Sequence, residues 1–193
     1  MPITPVLISN LNANFVANTL VGVNAPVLAT AIGTAIGSWA NTPSNISLVG
    51  ATAGVAGSGA VSGKLTLPPN PTFYESAFVS TGLVGLSKTP LCISLSNAVS
   101  VAFSSAGYVG TSSGVGVGTD ITKVVFANGT SLVSILNSTF ASHSIVGVNS
   151  SVLANAISIG VVAHLSTCFG NGAVVGSPSI VPSIGTSNSN VVI

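Results

Sequence analysis

The chain has 193 residues, of which only 3% are charged: three Lys, no Arg, Glu75 and Asp120, for a net charge of +1. An ordinary soluble domain carries about 25% charged residues, so a balance this bare excludes long-range electrostatic steering toward nucleic acid or an acidic surface. A hydrophobic content of 47% excludes intrinsic disorder, which requires the opposite composition.

Taken in order, the chain opens with MPITPVLISNLNANF, which has no basic leader region and no clear apolar core, so no signal peptide is expected. Ile8, Leu11, Phe15 and Thr19 then follow a helical stripe. Gly22 stands where a glycine at positive φ would end that helix and reverse the chain. Pro26 is placed near the start of a second helix, whose face carries Leu28, Ile32, Ala35, Ile36 and Trp39. Ala, Ser, Thr and Gly fill the opposite face, and the pair reads as an αα-hairpin. Gly57-x-Gly59 marks a glycine-rich loop, and VSGKLTL alternates as a short strand does.

This order recurs twice. Residues 15–32 read FVANTLVGVNAPVLATAI, residues 78–95 FVSTGLVGLSKTPLCISL and residues 140–157 FASHSIVGVNSSVLANAI. Phe15, Phe78 and Phe140 are 63 and then 62 residues apart, and the first and third phrases agree at ten of eighteen positions. Chance would give roughly two in a chain so biased, and a fixed period of this kind defines a repeat. In the second unit Thr72-x-x-Glu75 after Pro71 reads as a capping box. Leu91, Leu95, Ala98, Val99 and Ala102 reproduce the second-helix face, as do Leu153, Ile157, Gly160, Val161 and His164. Val133, Leu136 and Phe140 repeat the first-helix stripe, and Gly116-x-Gly118 and Gly170-x-Gly172 repeat the glycine pair. The tail, GSPSIVPSIGTSNSNVVI, reads as an extended arm.

The expected fold class is α+β: three tandem repeats, each an αα-hairpin followed by a Gly-rich loop and short strand, packed as a pseudo-threefold module. The repeats span 1–67, 68–126 and 127–180, with 181–193 as the arm, in one compact domain. The positions expected to carry the structure are Phe15, Gly22, Leu28, Phe78, Gly85, Leu91, Phe140, Gly147 and Leu153. The three leucines should be buried alike, and the three glycines should have positive φ.

Mean hydropathy of +0.81 raises a membrane role. Residues 20–40 are uncharged over about one bilayer span, and Gly33-x-x-x-Gly37 fits a small-residue helix contact. Against it, Ser87-Lys88-Thr89-Pro90 and Asn149-Ser150-Ser151 interrupt the equivalent runs, and no Lys/Arg cluster sets an orientation. Catalytic chemistry fares worse. Gly57 to Gly63-Lys64-Leu65 misses the phosphate-loop spacing and its hydroxyl. One Glu and one Asp, 45 residues apart, make no carboxylate pair. His143 and His164 have no Cys, Asp or Glu beside them in sequence, so no metal centre is expected. His164 takes the slot of Trp39, a packing position, and His143 aligns with Asn18 and Thr81, an exposed polar one. Cys92 reads as a buried thiol in the place of Ala29 and Ala154, and Cys168 has no counterpart. The acceptor-like triplets at Asn45, Asn128, Asn137 and Asn149 read as accidents of a Ser/Asn-rich chain. No catalytic, cofactor-binding or metal-binding residue is therefore assigned.

A nearly chargeless Gly/Ala/Ser/Val/Asn-rich chain, with F-x4-[LI]-V-G-[VL] hairpins followed by G-x-G stretches, resembles the structural proteins of tailed-phage virions. The resemblance covers most of the chain. It implies a non-enzymatic particle component, a capsid decoration protein or a neck or tail accessory protein, made in a host cytoplasm and assembled there into the virion. Its partners would be copies of itself and other structural subunits, with no direct contact to nucleic acid and no membrane. A membrane-associated or pore-forming protein is the first alternative, and an extracellular adhesin or surface-layer module the second.

Overall fold

A computed structural model describes residues 4–40, 47–53, 57–66, 68–105, 107–115, 117–125, 129–165, 169–175 and 186–192. Within these, side chains are described for 4–39, 68–102 and 132–164. Each repeat contributes two helices and then two strands. The helices are α1 (Thr4–Ala17), α2 (Ala25–Ala40), α3 (Pro71–Ser80), α4 (Lys88–Ser105), α5 (Gly129–Ser142) and α6 (Ser150–Leu165). The strands are β1 (Ser47–Ala53), β2 (Gly57–Thr66), β3 (Gly107–Val115), β4 (Val117–Val125), β5 (Phe169–Val175) and β6 (Thr186–Val192).

Contacts divide the chain across every repeat rather than between repeats. One compact unit holds Met1–Trp39, Pro69–Ala102 and Asn128–His164, and the other holds Ala40–Pro68, Phe103–Ala127 and Leu165–Ile193. The expected α+β module, with a short strand packed beside each hairpin, is thereby corrected. The unit that contains the hydrophobic core is all helical, six helices with no strand among its described residues. The strands form a unit of their own because their Gly- and Ser-rich sequences offer little apolar surface to helices but many backbone groups to each other.

Its strands are antiparallel neighbours in the order β1-β2-β3-β4-β5-β6. The first and last strands also approach one another, so the sheet curls round on itself. Two further expectations change here. Each repeat has a β-hairpin instead of one strand, and residues 186–192 of the expected arm are β6, paired along β5. The glycine pairs are strand residues more than loop residues: Gly57 and Gly59 lie in β2 opposite Gly114 and Ser112, and Gly170 and Gly172 lie in β5. Cys168, Gly116, Asn45, Asn128 and residues 176–185 lie outside the described residues.

In the helical unit, the first helices bury Leu7, Leu11 and Phe15, Tyr74, Ala77 and Phe78, and Leu132, Leu136 and Phe140. The stripe is one residue out of phase at its start, Leu7 and Leu132 being buried where Ile8 and Val133 were expected. The second helices are buried on more than one face. Ile32, Ala35, Ile36 and Trp39 are inside, but so are Ala29 and Ala31 from the small-residue face. Ala154 and Ala156 repeat that pattern, as do Cys92 and Ser94. Small side chains are what allow a neighbouring helix in close. A Cβ on Gly33 would come 2.5 Å from Ile8 Cγ1, and one on Gly37 would collide with Thr4, so this glycine pair seats α1 against α2. Gly160 does the same for α6, its missing Cβ lying 2.9 Å from Leu11 of α1.

The hairpins close into a ring, the first helix of each packing on the second helix of the repeat before it. Tyr74 of α3 meets Trp39 of α2 edge to face, ring centroids 5.9 Å apart. His143, just past α5, has its Nδ1 3.0 Å from Ser94 Oγ of α4. Asn155 Nδ2 of α6 donates to Asn18 Oδ1, just past α1, at 3.0 Å. Trp39, Ala102 and His164 occupy equivalent places in the three repeats and all are buried.

Candidate functional site

The shared phrase F-x4-[LI] has a local cause. In the first hairpin Leu20 N–H donates to Phe15 O at 2.8 Å and Thr19 N–H to Val16 O at 3.0 Å. The second hairpin repeats this as Leu83 to Phe78 and Gly82 to Val79, and the third as Ile145 to Phe140 and Ser144 to Ala141. This is the six-to-one, five-to-two pattern that caps a helix with a left-handed residue. That residue is Thr19, Gly82 or Ser144, at φ of 58°, 76° and 58°. The helix-ending role expected of Gly22, Gly85 and Gly147 therefore belongs to Thr19, Gly82 and Ser144, while the positive φ expected of the glycines is met at Gly22 and Gly85 and not at Gly147. Gly22 and Gly85 have φ of +158° and +155°, at the edge of extended backbone, and Gly147 has no positive φ. Their carbonyls instead accept from Ala25, Lys88 and Ser150 N–H at 3.1, 3.1 and 3.0 Å, leading into the second helix.

These three turns gather at one end of the helical unit around a cavity of about 870 Å³. Its wall is Phe15, Phe78, Leu20, Leu83, Ile145, Leu28, Leu91 and Leu153. Leu28, Leu91 and Leu153 therefore stand in matching places, half-buried in this wall rather than fully buried in the core. The rim is Val21 and Val23, Val84 and Leu86, Val146 and Val148, two residues from each turn. They are the most exposed large hydrophobics of the described residues, from 73% at Val21 to 102% at Leu86. Asn24, Ser87, Asn149 and Ser150 supply neutral polar groups between them, and Lys88 is the one charged lining residue. Sequence reasoning missed this rim. The signal was present in V-G-V, V-G-L and V-G-V, hydrophobic residues flanking a turn glycine where polar ones are usual.

The residues weighed for chemistry are placed elsewhere. His143 is half-buried rather than exposed, its Nδ1 2.8 Å from Thr139 O and 3.2 Å from Ser142 Oγ, while Ser94 Oγ donates to Thr139 O at 3.2 Å. His164 is buried, and burial lowers its pKa. Cys92 is a buried free thiol; burial first, then the Glu75 carboxylate, push its pKa up to about 11 against the pull of Lys88. Tyr74 is pushed well above the usual phenol range, chiefly by burial. Asp120 lies in β4 opposite Ser112 and Gly172, in the other unit from both histidines. Lys64 lies in β2 between Val49 and Gly107, within a continuous strand in place of a phosphate loop. The capping box also gives way: Asn70 caps α3, accepting from Thr72 N–H at 3.2 Å, with Pro71 as the first helical residue. Among the described residues no helix is long and apolar enough to cross a membrane.

The chain matches no known family model, and no match appears among curated proteins or solved structures.

Proposed function

We propose that the chain is a non-enzymatic structural subunit of a symmetric assembly, with a phage virion, as decoration, neck or tail component, the particle that its composition favours. The observation that carries this reading is the apolar rim. Six Val and Leu side chains, disposed identically on three turns, are held in solvent at a large free-energy cost, and a partner surface would recover it. The near absence of charge supports the same reading, since an interface of this kind rests on apolar burial and neutral hydrogen bonds. Ser, Thr and Asn side chains and the exposed backbone of Gly22, Gly85 and Gly147 supply the latter.

The direct test is co-purification. A structural subunit is expected in purified particles at fixed copy number through successive gradients. Recovery only as a free protein, with none in the particle fraction, would remove the proposal.

A further inference from the structure

The rim can also be asked what it fits. Each turn projects two large apolar side chains past the cavity wall, Val21 and Val23 being 73% and 93% exposed, Val84 and Leu86 80% and 102%, Val146 and Val148 78% and 96%. The ends of the helices through which the chain leaves this unit, at Ala40, Ser105 and Leu165, are the far ends from these turns. We infer that this face is a self-association surface, the occupant of one rim being the rim of a second copy of the chain.

Area is the first argument. A Val or Leu side chain presents on the order of 100 Å² of apolar surface. Six on each face, two faces together, would bury roughly 1,200 Å², the lower bound of a specific and stable interface. The cavity wall adds to that wherever a tip enters it. Shape is the second. Three turns spaced round a ring leave three gaps, so under a twofold axis lying in the plane of contact, at right angles to the ring's own axis, the turns of one copy seat in the gaps of the other. A twofold contact must be self-complementary, and a rim that repeats V-G-V, V-G-L and V-G-V meets that condition with itself. Charge raises no obstacle, because the single Lys88 of each copy can lie at a different gap from that of its mate. The inference concerns pairing of the isolated chain and does not depend on which particle, if any, it belongs to.

The experiment is sedimentation equilibrium of the full chain from about 1 µM to about 1 mM, a span that brackets the affinities of interfaces this size. The expected species is twice the 18.7 kDa chain mass, reversible on dilution and unchanged by salt. The variant Val23→Ser/Leu86→Ser/Val148→Ser changes only side chains in solvent, so it should keep the helical circular dichroism while dimer affinity falls at least 100-fold. A monomer throughout the concentration range would overturn the inference, as would a dimer that the triple variant leaves intact. So would a chain that stays monomeric yet floats with neutral phosphatidylcholine vesicles through the same three residues, since the rim's occupant would then be lipid. Failure here would leave the co-purification test of the structural role untouched.

Discussion

Thr19, Gly82 and Ser144 end the first helices in the left-handed region, and only one of them is suited to it. A β-branched residue at φ of 58° crowds its own carbonyl, whereas glycine at 76° does not. Thr19→Gly should therefore raise stability by about 0.5–1 kcal/mol, and Gly82→Ala should lower it by about 1 kcal/mol. Urea unfolding of the two variants reads both; a Gly82→Ala chain as stable as the parent would show that the turn does not rest on this residue. Gly147→Ala should be nearly silent, because a Cβ there meets nothing within 4 Å. The core offers a second residue-scale test. Tyr74 hydroxyl is buried with no hydrogen-bond partner among the described residues, in the place held by Leu11 and Leu136. Tyr74→Phe keeps the edge contact with Trp39 and removes the stranded hydroxyl, so stability should rise by about 1 kcal/mol. His164 sets a pH dependence. Its folded pKa lies below its unfolded one, so its contribution is fully present above the unfolded value of about 6.5 and is lost as pH falls below it. Thermal midpoints should drop between about pH 7 and pH 5, and His164→Phe should flatten that drop.

The helices were legible in the sequence because each has a face that recurs three times, and chance cannot place Phe, Gly and Leu so consistently. Phe15, Phe78 and Phe140 were found at once, and all three are buried. The helix ends were not legible, since the sequence displays its glycines at 22, 85 and 147 while the left-handed position holds Thr, Gly and Ser. Likewise Thr72 and Glu75 offered a capping box, but Asn70 followed by Pro71 is the stronger start: an Asx cap plus a ring already fixed at helical φ. Asn70→Ala should cost about 1 kcal/mol, whereas Thr72→Ala should cost little, as chemical denaturation would read. Three of the six strands gave no signal. GYVGTSSGV and TSNSNVV break the apolar alternation with glycine, serine and asparagine, and the backbone pairing that makes them strands has no counterpart in side-chain pattern. The rim was hidden for the opposite reason. Its hydrophobic residues were visible beside the turn glycines, but only the fold shows the three turns gathered round one cavity.

At the scale of the molecule, three copies of one hairpin divide into a ring of helices with an apolar rim and a sheet made from the intervening hairpins. The chain carries five Lys, Glu and Asp charges in 193 residues, so ion pairs can make only a small part of any attachment. Each neutral hydrogen bond adds only about 1 kcal/mol net, which leaves apolar burial as the main term. Salt screens charges and leaves that term nearly untouched, or strengthens it. The measurement that bears most directly on the account is the copy number of the chain on purified particles, washed from low salt to about 1 M NaCl. The account predicts a constant number per particle across that range. Release of folded, intact chain by moderate salt alone would show that charge holds it, and would contradict the account at its centre.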